Sequence, residues 1–209
     1  LDIQFVFTAN PEDYTNRGSI VTPLKDRIGS QILTHYLNAT EQARKITESQ
    51  VKLSASQKTI RVPELLKTLV EQIALEARKS EFVDAKSGVS ARLTISAFEN
   101  LVSAAELRFL KTGQPYTFAR ISDLYACIPA INGKIELVYE GEQEGPAVIA
   151  YNLISMAIRN YFVRLFPDPA KLKRKTEKNP YTEIVNWFSN AQRIDLLEQQ
   201  NDKVYAAAL

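Results

Sequence analysis

With one cysteine, Cys127, and one histidine, His35, the chain can close no internal disulfide and assemble no cysteine–histidine metal site. That scarcity points to a reducing cytoplasm. Its seven glycines are scattered, and no G-x-x-x-x-G-K-[ST] turn occurs, so the sequence holds no phosphate loop of its own. Charge of one sign is lacking too. The 26 lysines and arginines face 24 carboxylates, a net charge of +2, which makes no electrostatic case for nucleic acid as the main partner. Long hydrophobic runs are missing as well: Asn152, Arg159, Asn160 and Arg164 interrupt the most apolar segment, 148–166. Neither a signal peptide nor a membrane span is expected, and there is no internal repeat. What remains is 45% hydrophobic and 24% charged over 209 residues, enough to bury a core in one or two domains.

The most informative stretch comes first. Residues 3–9 are apolar and too few for a helix that packs on one face. Ile3, Phe5, Val6 and Phe7 are β-branched or aromatic, and Asn10-Pro11 stops the run, which reads as a strand buried on both faces. Proline pushes Asn10 to extended geometry, at the strand end where open α/β sheets bind ligands. A turn-forming asparagine fits Asn10 equally well. Thr22-Pro23 is an N-cap followed by proline, and Gly29 suits the residue past the end of a short helix carrying Lys25, Asp26 and Arg27. Residues 30–36 read as a second strand. The first strand needs neighbours that this sequence does not supply, so the expectation is a longer protein with its nucleotide-cradling half upstream. Residues 135–140 superficially suggest a strand ending in an acid for magnesium, but an ordinary structural stretch is expected there.

The remainder reads as helices. Residues 38–50 form one, capped by Asn38, with Ala39, Ala43 and Ile46 inward, and 53–60 form a loop. Val62-Pro63 starts a helix whose stripe of Leu66, Leu69, Val70, Ile73 and Ala77 is core, with Arg78 and Lys79 in its last turn. Ser90 caps the next, with Phe98, Leu101, Val102, Ala105 and Phe109 inward and Gly113 and Pro115 ending it. Arg92 then falls in a first turn, where a cation opposes the helix dipole at a cost of roughly a few tenths of a kcal/mol. An anion held there would compensate, though taken alone a solvated surface arginine is the plainer reading. Residues 120–134 are helical with Ser122 as cap and Leu124, Ile128 and Ile131 inward, kinked or divided at Pro129. Residues 140–144 read as a loop. Residues 147–166 form a helix apolar enough for burial on more than one side or contact with a partner. The basic run 171–178 reads as a solvated linker in preference to a phosphate-binding patch. Asn179-Pro180 then caps a last helical segment whose Trp187 and Phe188 are expected to pin the tail to the body.

Asn10-Pro11-Glu12, Leu24-Lys25-Asp26-Arg27-Ile28-Gly29 and Gly88-Val89-Ser90-Ala91-Arg92 together resemble the AAA+ ATPases, in particular the magnesium chelatase subunit I and MoxR-like branch. The likeness covers residues 1–113 and reaches 138 more loosely. Lys25 and Ile28 depart from the family pattern without removing a charged group. The resemblance implies a mainly α chain: the end of an AAA+ α/β core in 1–37, a helical lid in 38–138 and a C-terminal helical extension in 139–209. It implies that Asn10 is the sensor 1 amide, Arg27 an arginine finger reaching into a neighbouring subunit, and Arg92 the sensor 2 arginine. It further implies ATP and Mg2+, bound mainly by residues upstream, in a homo-oligomeric ring. The implied partner carries a von Willebrand A-type domain; from charge and hydropathy, neither nucleic acid nor a membrane is expected as a partner. The function implied is ATP hydrolysis coupled to partner remodelling or metal insertion, with this chain inactive on its own. The alternative is a helical interaction module in which Asn10, Arg27 and Arg92 are incidental. A sigma-54-type activator is disfavoured, since its Asp-Leu-Tyr-Tyr-Arg-Leu signature and a basic helix-turn-helix tail are absent.

Overall fold

Leu66, Leu69, Val70, Ile73 and Ala77 recur at helical spacing and are all buried, and the main core is assembled on that stripe. Fully burying a leucine, valine or isoleucine is worth about 1.5–3 kcal/mol. A cap supplies about 1 kcal/mol, so the helix forms although Pro63 at its N-cap gives no side-chain bond. The computed structural model describes residues 3–8, 23, 26–37, 39–85, 87–172, 179–190, 192–194, 196 and 200–209. In order, the described helices are α1 (Thr40–Gln50), α2 (Glu64–Lys79), α3 (Arg92–Thr112), α4 (Ile128–Asn132), α5 (Tyr139–Glu144), α6 (Pro146–Leu165), α7 (Thr182–Ser189) and α8 (Asp202–Ala208). Two 3-10 segments, Gln57–Thr59 and Ile121–Cys127, join them. Among the described residues there is no strand, only isolated bridges between Arg61 and Phe118 and between Val83 and Leu137. The chain is mainly α.

It divides into two units, Leu1–Leu37 and Asn38–Leu209. In the first, the expected buried strand is not formed: Ile3, Phe5, Val6 and Phe7 are exposed, with no ladder partner among the described residues. Phe5 and Phe7 instead stack on each other at 6.1 Å. The second expected strand, 30–36, likewise forms no ladder among the described residues, and Ile32 and Leu33 are exposed. A strand is defined by a neighbour's backbone, and apolar patterning alone does not provide one. Pro23 is helical and Asp26 and Arg27 form a turn, while Leu24 and Lys25 lie outside the described residues.

In the second unit α2 packs on α1, α3 and α6, and α3 packs on the Ile121–Cys127 segment and α4. Ile149, Ala150, Leu153, Ile154 and Ala157 of α6 share the core with Leu93, Leu101 and Val102 of α3, so one core includes residues on both sides of Val138. Only that face of α6 is buried; Val148, Tyr151 and Met156 remain exposed. Pro129 does divide its segment, sitting in the first turn of α4, where its missing N–H costs no intrahelical bond. Four expectations are corrected. Residues 140–144 lie in α5, because Gly141 lets the helix close on Phe82: a Cβ there would lie 2.6 Å from the Phe82 carbonyl oxygen. Glu140 and Glu142 in its first turn also suit the helix dipole. Ile46 of α1 is exposed and Thr47 turns inward, since polar partners wait there. Ser122 is not the cap of its segment; that position is Arg120. Finally, Trp187 and Phe188 are exposed and α7 has no buried residue, so they do not pin the tail. Among the described residues, no helix is long and apolar enough to cross a membrane.

Candidate functional site

Of the three residues that the motifs single out, Asn10 lies outside the described residues. Arg27 is exposed on its turn in the first unit, and no ion pair ties it to Asp26. Arg92 is exposed at the first position of α3 in the second unit. The local sequence builds that helix start. Gly88 takes φ +68°, a left-handed conformation that a side chain would strain. Arg78 of α2 holds the approaching loop, donating from Nε and Nη2 to the Val89 carbonyl at 3.3 and 3.2 Å. Ser90 Oγ accepts the Arg92 N–H at 3.2 Å, while Ala91 is the N-cap and gives no side-chain bond. No acidic residue stands in the first turn. The outcome is an exposed cation at a helix start whose Arg92 and Leu93 N–H groups are already taken up by Ser90, with no ion pair to it among the described residues.

The same loop packs against residues 135–138. The Asp84 N–H donates to the Glu136 carbonyl at 2.9 Å, and Ser87 Oγ sits against both Asp84 Oδ2 and Glu136 Oε2. Glu136 thereby ties the loop down, as an ordinary structural stretch does. Among the described residues, no group of three or more histidines, cysteines, aspartates or glutamates could hold a metal ion.

Two buried polar networks escaped the sequence reading. In the first, Arg108 grips Asp123 through both carboxylate oxygens at 2.5 and 3.0 Å and donates to the Phe118 carbonyl at 2.8 Å. Asp123 also accepts the Arg120 N–H at 2.7 Å. The Arg120 side chain turns to the tail, donating to Asp202 Oδ1 and the Gln200 carbonyl, each at 2.7 Å, and lying 4.1 Å from the Tyr205 ring centre. The signal for Arg108 was its register: it follows Leu101 and Ala105 on the inward face of α3. In the second network Thr47 Oγ1 donates to Glu71 Oε1 at 2.6 Å and lies 2.7 Å from Thr94 Oγ1. Burial raises the Glu71 carboxyl above the ordinary glutamate range, against the pull of the Thr47 bond and of the Arg78 and Arg44 charges.

A surface cleft of about 440 Å³ borders α6, lined by Tyr125, Ser155, Arg159, Phe162 and Asp168 among others. Burial raises the Tyr125 hydroxyl, and the neighbouring Tyr151, whose ring stacks on it at 5.4 Å, adds to the rise. Among the described residues that line it, no nucleophile stands beside a base. The chain matches no protein-family model, no curated protein and no solved structure.

Proposed function

We propose that this chain is part of a ring-forming AAA+ ATPase of the magnesium chelatase subunit I and MoxR-like kind. Residues 1–37 would end the α/β core, 38–138 form the lid and 139–209 the C-terminal extension. The observation that carries the reading is the availability of two cations. Arg27 and Arg92 are both exposed and outside any ion pair among the described residues, each within a segment that resembles a family motif. An arginine spent on a buried carboxylate, as Arg108 is, has no charge left to offer a phosphate.

ATP with Mg2+ supplies the phosphoryl group whose charge spreads in the transition state. The described residues include two exposed arginines that could meet a phosphate and no metal-ligand set. The phosphate-loop lysine and the metal carboxylate are therefore assigned to residues outside this sequence. Arg27 reaches across to a neighbouring subunit and sets its guanidinium against the spreading charge, making turnover depend on assembly. Arg92 holds the end phosphate at the positive end of the α3 dipole. Because α3 is packed into the main core, losing that contact shifts the helical unit as a body. Asn10 would bond the attacking water or the end phosphate. Turnover then drives remodelling of a partner bearing a von Willebrand A-type domain, or metal insertion, in the cytoplasm and without nucleic acid.

The test uses the full-length ATPase. Arg27→Ala is expected to keep ATP binding and to lose about 10³–10⁵ in turnover. Unchanged turnover rejects the assignment and leaves the helical interaction module.

A further inference from the structure

The tail reaches the body through one short run of sequence. Gln200 offers its carbonyl and Asp202 its carboxylate to Arg120 Nη2, each at 2.7 Å. The Asp202 N–H donates to Gln114 Oε1, and the Tyr205 ring lies over the Arg120 guanidinium and edge-on to Phe118. Asn201 caps the turn that presents these groups, accepting the Val204 N–H. Every one of the tail's contributions falls within residues 200–205. Beyond them α8 adds little: among the described residues it packs on no other helix, and Asp202 is its one buried residue. The receiving side is built without the tail. Arg108 fixes Asp123, and Asp123 accepts the Arg120 N–H, so the backbone that carries the guanidinium is held from the core side. The seated tail also leaves groups unmatched. Arg120 Nε, Gln114 Nε2, Gln200 Oε1 and Asp202 Oδ2 are buried with no hydrogen-bond partner among the described residues. Each such group weighs against the docked state.

We infer that Gln114, Phe118 and Arg120 form a recognition groove for a short helical segment opened by Asn-Asp, and that the groove takes this segment from a second copy of the chain as well as from its own. What is seated there argues for that occupant. A contact set confined to residues 200–205 is carried whole by the tail of any copy. Docking in trans remakes each bond that is lost in cis, which is what makes exchange of identical elements a low-cost route to dimers. Leaving the groove exposes little apolar surface, so opening belongs to the low-stability end of local unfolding. An unrelated partner would have to present a carboxylate, its own backbone N–H and a ring at the same spacing. The inference is independent of the ATPase reading, since neither Arg27 nor Arg92 touches the groove.

Two variants of the 209-residue chain separate groove from tail. Asp202→Ala keeps the groove and spoils the tail, while Arg120→Gln keeps the tail and spoils the groove. Each alone should sediment as a monomer, and their equimolar mixture as a heterodimer. A mixture that stays monomeric overturns the inference, and so does either variant associating by itself as readily as the mixture. Where Arg120→Gln does not fold, a fluorescent peptide of residues 200–209 decides. It should bind the Asp202→Ala chain saturably and the wild type about tenfold or more weakly, because the wild type's own tail fills the groove. The same peptide carrying Asp202→Ala should lose about tenfold or more in affinity. Absence of saturable binding, equal binding by the two chains, or equal binding of the two peptides overturns the inference.

Discussion

Arg120 and Asp202 stand 82 positions apart in the sequence, yet their side chains meet at 2.7 Å and both are buried. Their contact fastens the last helix, α8, to the body. Gln114 Oε1 adds a bond by accepting the Asp202 N–H at 3.1 Å, and Tyr205 packs edge-on to Phe118 at 6.4 Å. Asn201 caps α8 by accepting the Val204 N–H at 2.9 Å.

Asp202 is the only residue of α8 that is buried, so little apolar area backs up the ion pair. Breaking a buried pair costs about 3–5 kcal/mol when the surviving charge stays buried. In Asp202→Ala the helix can leave and let water reach Arg120, so the loss of global stability should fall below that range. Hydrogen exchange is expected to show α8 stripped of protection while α2 and α3 keep theirs. Full protection of α8 in this variant means that something other than Asp202 holds the tail.

Glu71 predicts a pH dependence of stability. Its carboxyl lies above the ordinary glutamate range in the folded chain, chiefly through burial. The folded state therefore keeps the proton longer than the unfolded state. This contribution is fully present below the unfolded value and is lost as pH rises through the folded one. Each unit of elevation is worth about 1.4 kcal/mol. Glu71→Gln removes the titrating group and can still accept the Thr47 hydroxyl, so its urea midpoint should fall less than the wild type's between pH 4 and 7. Equal slopes in the two proteins discard this account.

Cys127 gives a third test. Burial first, and then the Asp123 carboxylate, push its thiol up to about 12. The thiol also donates to the Ala97 carbonyl at 3.2 Å. A free thiol titrates near pH 8.5. The stability this group contributes is intact below that value and is lost as pH rises toward the folded one. At pH 8 the native chain should resist thiol reagents and react only as fast as it unfolds. Prompt labelling under native conditions contradicts a core position for this side chain.

How far the fold could be read depended on whether the determining contact was local. The stripes of α2 and α3 were legible because burial repeats with the helical period at Leu66, Leu69 and Ile73 and again at Phe98, Leu101 and Ala105. The α5 helix was not, since a glycine between glutamates looks like a loop until Phe82 is seen against Gly141. Arg108 and Arg120 escaped for a related reason: their partners lie 15 and 82 positions away, and periodicity assigns charge to the surface. Thr47 turned inward for Glu71 and Thr94, on two other helices. Of the candidate site, the position of Arg92 in the first turn of a helix was readable, though the cap is Ala91 and not Ser90. Asn10 lies outside the described residues, and the exposure of Arg27 needed coordinates.

Arg92 allows fold and function to be separated in one residue. It opens a 21-residue helix whose first turn has no acid, and its charge opposes the dipole. If Arg92 served the fold, replacing it would destabilise the chain. Its exposure and its lack of an ion pair among the described residues say otherwise. Arg92→Glu should raise the unfolding free energy of the 209-residue chain by about 0.3–1 kcal/mol, and more at low salt than at high. On the proposed ATPase reading, the same variant in the longer protein would set a negative charge against the end phosphate and should abolish turnover. A gain in stability paired with a loss of activity marks a residue kept for its ligand. Loss of stability in the isolated chain instead makes Arg92 structural and removes one of the two cations on which the ATPase reading stands.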